Sequence, residues 1–155
     1  MDIMIIDDSK IDLFVSQKII EKVNSDCNIE IFASGSSAIN FLKKSGGKTC
    51  QKIFVPDVIF LDINMPEMDG FQFLKEFSKL SNVDKKDIKI HVLSSSTNSQ
   101  DIKKTQENKY CAGFINKPLT ATSLNKVIVR YRPYLKMFDY QADDVNLKRK
   151  VKLVE

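Results

Sequence analysis

The sequence predicts an α/β domain: a doubly wound, five-stranded parallel sheet, (βα)5, with helices on both faces. Three observations carry that reading. Short apolar runs alternate with longer segments of helical period, the pattern of successive βαβ units. The runs are apolar almost throughout, as strands covered on both faces are. The chain has 155 residues, enough for one domain with a proper core and little more. Right-handed crossovers then place the helices on the two faces.

Taken in order, Ile3–Ile6 is the first strand, followed by Asp7-Asp8-Ser9. Ile11, Phe14, Val15, Lys18 (through its stem), Ile19 and Val23 recur at three and four, which predicts a helix ending near Asn24-Ser25. Ile29–Phe32 is the second strand. Ser34-Gly35-Ser36 opens a helix carrying Ala38, Phe41 and Leu42, which stops near Ser45-Gly46-Gly47. A long, polar link over 45–57 leads to the third strand, Val58–Leu61. Asp69-Gly70 turns the chain into a helix marked by Phe71, Leu74, Phe77 and Leu80. Ile88–Leu93 is the fourth strand, and Asp101–Asn108 a polar, weakly amphipathic fourth helix. Ala112–Ile115 is the fifth strand. Thr120 caps a last helix with Leu124, Val127, Ile128 and Tyr131 on one face, and Pro133 is expected to end or kink it.

Composition narrows the function classes. Hydrophobic residues make up 43% and charged residues 28%, ordinary for a soluble globular chain. The net charge of +4 is too mild to argue for nucleic acid. The apolar runs are far too short to cross a membrane, and no secretory signal is visible. Cys27, Cys50 and Cys111 are scattered, with no CxxC pair, which suits a reduced, cytoplasmic chain. The single histidine, His91, lies in an apolar run and reads as structural.

In a parallel sheet the C-terminal ends of all strands share one edge, and ligands bind there. The first strand delivers Asp7 and Asp8 to that edge, the third Asp62 and then Asn64, the fourth Ser94, Ser95 and Ser96, and the fifth Lys117-Pro118. Three carboxylates brought together repel one another, and a divalent cation relieves the repulsion. Oxygen-only ligands favour a hard ion, and Mg²⁺ suits a site with few protein ligands. A cation and a lysine around one carboxylate are also what phosphoryl transfer needs, since its catalysis is largely positioning and charge neutralisation. A carboxylate can itself be the nucleophile and carry an aspartyl-phosphate.

The constellation resembles the receiver domain of two-component response regulators, over about residues 2–131. The matching elements are Asp7-Asp8, Asp62 within LDINMPEMDG, Ser94, and Lys117-Pro118, each at its strand end. The resemblance implies a flavodoxin-like strand order, 2-1-3-4-5. It implies that Asp62 is the phosphoacceptor and that Asp7, Asp8, Asp62 and the Asn64 backbone carbonyl hold Mg²⁺. It makes Lys117 the phosphoryl contact, Ser94 the switch hydroxyl, Phe114 the switch aromatic, and the Lys117–Pro118 bond cis. A histidine kinase or phosphotransfer protein is the expected phosphoryl donor. Output is expected through protein–protein contact by the surface of the fourth helix, fifth strand and fifth helix. Asn64 and Ser96, each two residues past a key position, are small and leave room for water, which implies a phosphoryl group that decays within hours.

The expected receiver spans residues 1–132. The remaining 133–155 are too few for a DNA-binding domain, and the charge run Lys148, Arg149, Lys150 and Lys152 reads as a solvated tail or helix extension. A stand-alone receiver without independent substrate turnover is therefore expected. Two rivals stand beside it. A Mg²⁺-dependent, aspartate-nucleophile phosphatase wants a second aspartate where this chain has Asn64. A non-cycling interaction module has no need of the complete set of cleft residues.

Overall fold

The expected alternation is present as β1 Asp2–Ile6, α1 Lys10–Val23, β2 Asn28–Phe32, α2 Gly35–Ser45, β3 Val58–Leu61, α3 Gly70–Lys79, β4 Lys89–Ser94, α4 Ser99–Glu107, β5 Cys111–Asn116 and α5 Ala121–Asp139. The computed structural model describes residues 1–45, 54–81, 83–96 and 98–139, with the backbone alone beyond Tyr131. Cys50 and the basic run from Lys148 to Lys152 lie outside these residues. The strands form one sheet in the order β2-β1-β3-β4-β5, every neighbouring pair parallel.

Alternation along the strands divides the core in two. Met4, Ile6, Ile59, Leu61 and Ile90 face Leu42 of α2 and Phe73, Leu74 and Phe77 of α3. Ile3, Ile5, Val58, Phe60 and Leu93 face Leu13 and Ile20 of α1 and Leu124 and Ile128 of α5. Each of these side chains is buried, and burying one contributes about 1.5–3 kcal/mol. This two-sided coverage is why β1 and β3 read as unbroken apolar runs, whereas the edge strand β2 is largely exposed and carries Glu30.

Two expectations need correction. On α1, the buried face is Leu13, Ser16 and Ile20, whereas Ile11 is 75% and Phe14 59% exposed. The helix carries two apolar stripes, and contact with the sheet and α5 selects one of them. Of the two outcomes expected at Pro133, an end or a kink, the end does not occur: the α5 backbone stays helical to Asp139. A proline there removes one hydrogen bond, to the carbonyl four residues back. That residue, Val129, is 67% exposed, so water can satisfy the freed carbonyl.

The turns are built as the sequence suggests. Asp69 caps α3 in a reciprocal capping box with Gln72. Thr120 accepts the Ser123 N–H at the start of α5. The Lys117–Pro118 bond is cis. Between β4 and β5 the register shifts at Ile90/His91, so that His91 pairs with Gly113. His91 is buried and within 3.2 Å of the Tyr131 hydroxyl, a structural position as expected.

Candidate functional site

The ladder carries Asp7 and Asp62 onto the C-terminal edge. The Asp7 N–H donates to the Phe32 carbonyl at 3.0 Å, and the Asp62 N–H to the Ile6 carbonyl at 2.9 Å. Each aspartate thus continues its strand by one residue, on the same face as Ile5 and Phe60. The two carboxylates are 1% and 3% exposed. After Asp7 the chain turns at once: Asp7 Oδ1 accepts the Ser9 N–H at 2.9 Å, and Ser9 Oγ accepts the Asp12 N–H to cap α1. Asp8 is left exposed beside the buried pair.

Lys117 closes the site from β5. Its N–H donates to the Ser94 carbonyl at 3.0 Å. Its ammonium, only 10% exposed, lies 2.7 Å from Asp7 Oδ2, 3.0 Å from Asp12 Oδ2 and 3.4 Å from Asp62 Oδ2. Burial pushes the Asp7 and Asp62 carboxyls above their ordinary values, although Lys117 and nearby backbone N–H groups pull the other way. Burial would lower the Lys117 ammonium, but Asp7 and Asp12, then Asp62, outweigh it and hold it above the usual lysine value. The asymmetry has a simple cause. One lysine collects the attraction of three carboxylates, whereas the carboxylates share one lysine.

Oxygens of Asp7, Asp8 and Asp62 lie within 4.8 Å of one another. Asp62 Oδ1 is buried and has no hydrogen-bond partner, a costly state for a carboxylate oxygen. An all-oxygen donor set with a buried, unpartnered oxygen fits a hard divalent cation such as Mg²⁺. Asn64 sits exposed in the turn two residues past Asp62. Its N–H side favours the ionised Asp62 carboxylate.

The remaining expected residues are placed less directly. Ser94 is fully buried at the end of β4, while Ser95 is exposed, which settles which of the two faces inward. In this state Ser94 Oγ accepts the Ser96 N–H at 3.1 Å, and no hydrogen bond joins it to Asp62. Ser96 Oγ donates to Asp101 Oδ2 of α4 at 2.9 Å. Phe114 belongs to neither core cluster. It is half-buried and lines a groove of about 450 Å³ along β5 and α5, with Asn116, Lys126 and Arg130.

Asp12 is the residue that sequence reasoning missed. Ser9-Lys10-Ile11-Asp12 has the spacing of a capping box, whose acidic member would reach back to the cap backbone. The structure keeps only half of that box, and the Asp12 carboxylate turns to Lys117 instead.

Comparison with known proteins bears on the chain as a whole. A family model described as "Response regulator receiver domain" matches residues 3–129. The hybrid signal transduction histidine kinase L of Dictyostelium discoideum is 30% identical over 132 residues, covering 83% of this chain and 7% of that protein. The response regulator Rcp1 of Synechocystis is 32% identical over 100 residues, covering 64% of this chain and 65% of that one. The chain thus spans less than two thirds of the length of either. Among solved structures, a two-component response regulator from Cytophaga hutchinsonii superposes with a TM-score of 0.74 at 28% identity, over 85% of this chain and 96% of that one. A response regulator receiver protein from Dyadobacter fermentans gives 0.71 at 29% identity, over 85% and 98%.

Proposed function

We propose, from the premise that the chain belongs to the response regulator receiver domain family, that Asp62 accepts a phosphoryl group from a histidine kinase or phosphotransfer protein in a Mg²⁺-dependent reaction. The observation that carries this reading is the placement of Asp62. It is a buried carboxylate at the end of β3, 3.4 Å from a lysine, with one oxygen unpartnered and two further aspartates beside it.

The contacts support a role for each residue. Asp62 Oδ1, free of hydrogen bonds, is an available nucleophile or metal ligand. Asp7 and Asp8, with Asp62 and the Asn64 carbonyl, would hold Mg²⁺, which supplies charge neutralisation where phosphoryl oxygens gather. Lys117 orients and stabilises those oxygens from the β5 side. Ser94, buried at the next strand end, is positioned to exchange its bond with the Ser96 N–H for one to the phosphoryl group. Because Ser96 also holds Asp101, that exchange would be felt at the start of α4. Phe114, half-buried beside the groove of β5 and α5, has room to change its packing. The expected output is a changed preference for a protein partner on this surface. The expected location is the cytoplasm; no helix among the described residues is long and apolar enough to cross a membrane. The receiver unit is taken as residues 1–132.

The test is labelling by acetyl phosphate with and without Mg²⁺. Wild-type protein should be labelled only with the metal, and Asp62→Asn should lose labelling by at least about 100-fold, as when a nucleophile is removed. Undiminished labelling of that variant would overturn the assignment.

A further inference from the structure

The Lys117 ammonium has three N–H donors and faces three carboxylates. Two of these, Asp7 and Asp62, are buried and belong to the acidic cluster with Asp8. The third, Asp12, stands outside that cluster on the first turn of α1, with its side chain 38% exposed. It is also nearer to the ammonium than Asp62 is, 3.0 Å against 3.4 Å. We propose that Asp12 is a positioning residue: it holds Lys117 back from Asp62 in the unphosphorylated protein and releases it to the phosphoryl group. This inference rests on the reading of Asp62 as phosphoacceptor.

The physical argument concerns which partner leaves most easily. A phosphoryl group on Asp62 brings up to about two negative charges and strong acceptor oxygens. Lys117 must give up an existing contact to meet them. Leaving Asp7 would take its partner at 2.7 Å from a carboxylate that water cannot reach, so that the cation alone would have to balance it, a costlier outcome. Leaving Asp12 lets water take the lysine's place, because that carboxylate is half-exposed. The N-terminal turn of α1 further favours the charge of Asp12 once it is alone. Ser9 holds the Asp12 backbone in that turn, so the side chain stays aimed at the cleft. Asp12 therefore competes with Asp62 for the lysine before phosphorylation and not after it.

The test separates the two directions of the cycle. In Asp12→Asn, labelling by acetyl phosphate with Mg²⁺ should be about two- to fivefold faster, the range that a partly exposed ion pair is worth. Hydrolysis of the phosphoryl group should stay within about twofold, since Lys117 has already left Asp12 in that state. In a Lys117→Met background, Asp12→Asn should leave the labelling rate unchanged. An unchanged or slower rate in the single variant, an equal effect in both backgrounds, or an equal effect on labelling and hydrolysis would each overturn the proposal. If wild-type protein were not labelled at Asp62 at all, the phosphoacceptor reading itself would fail.

Discussion

Among the described residues, buried aspartates and a buried histidine lie in two places, and the molecule treats them in opposite ways. At the C-terminal edge of the sheet, Asp7 and Asp62 are buried with one lysine between them, and an Asp62 oxygen is left without a partner. In the middle of β4, His91 is just as buried, yet it is neutral, lies against Phe60 and meets the Tyr131 hydroxyl of α5. Burial, with Arg130 nearby, lowers the His91 imidazole to about 4, so it carries no charge near neutral pH. The interior site thus removes its charge, whereas the edge site keeps charges that it does not balance. Unbalanced buried charge at a strand-end cleft marks a place built to receive something; a neutral, paired histidine marks packing.

A glycine approaches each site, and substituting them sharpens the contrast most. A Cβ on Gly70 would come within 2.6 Å of the Asp62 carbonyl oxygen and 2.9 Å of Ile63 Cα, both backbone atoms of the β3–α3 turn that cannot yield. A Cβ on Gly113 would meet only the His91 ring, at 2.9 Å. Gly70→Ala should therefore cost about 3 kcal/mol and Gly113→Ala about 1 kcal/mol, measured by urea unfolding. Equal costs would mean that the turn under Asp62 is as soft as the histidine pocket.

Acid should separate the sites next. His91 is protonated at about pH 6.5 when unfolded but only near 4 in the fold, so the unfolded state binds the extra proton between those values. Stability contributed by the neutral fold is fully present above about pH 6.5 and declines as pH falls toward 4, by a few kcal/mol at most. His91→Phe should flatten that decline. Asp62 has the opposite sign: its raised folded value means that protonation favours the fold as pH falls through it. Asp62→Asn should accordingly raise stability at neutral pH without Mg²⁺, while abolishing labelling. A variant that lost stability would show that the Lys117 contact outweighs the cost of burying Asp62.

Much of this is legible in the sequence alone. Apolar runs of four to six residues located all five strands, most plainly β1, β3 and β4, which are covered on both faces, and three-and-four spacing located the helices. Asp7, Asp62 and Lys117 could be placed together because parallel topology sends every strand end to one edge. Less legible was the orientation of α1. Its sequence offers two apolar stripes, and only contact with β1, β3 and α5 chooses Leu13 and Ile20 over Ile11 and Phe14. Ser94 needed the register at the end of β4 to be distinguished from Ser95.

By itself, then, the sequence determined the order and type of the elements, the covered sheet and the identity of the charged residues at its edge, because these depend on local period and on strand ends. The tertiary structure alone decided which charges share the lysine. Asp12 and Lys117 stand 105 residues apart and meet only because α1 and β5 converge over the same cleft. It also decided that His91 is neutral, because only packing against Phe60 and Tyr131 removes it from water. Contacts between distant segments set partner and burial, and those two quantities govern what a titratable side chain does.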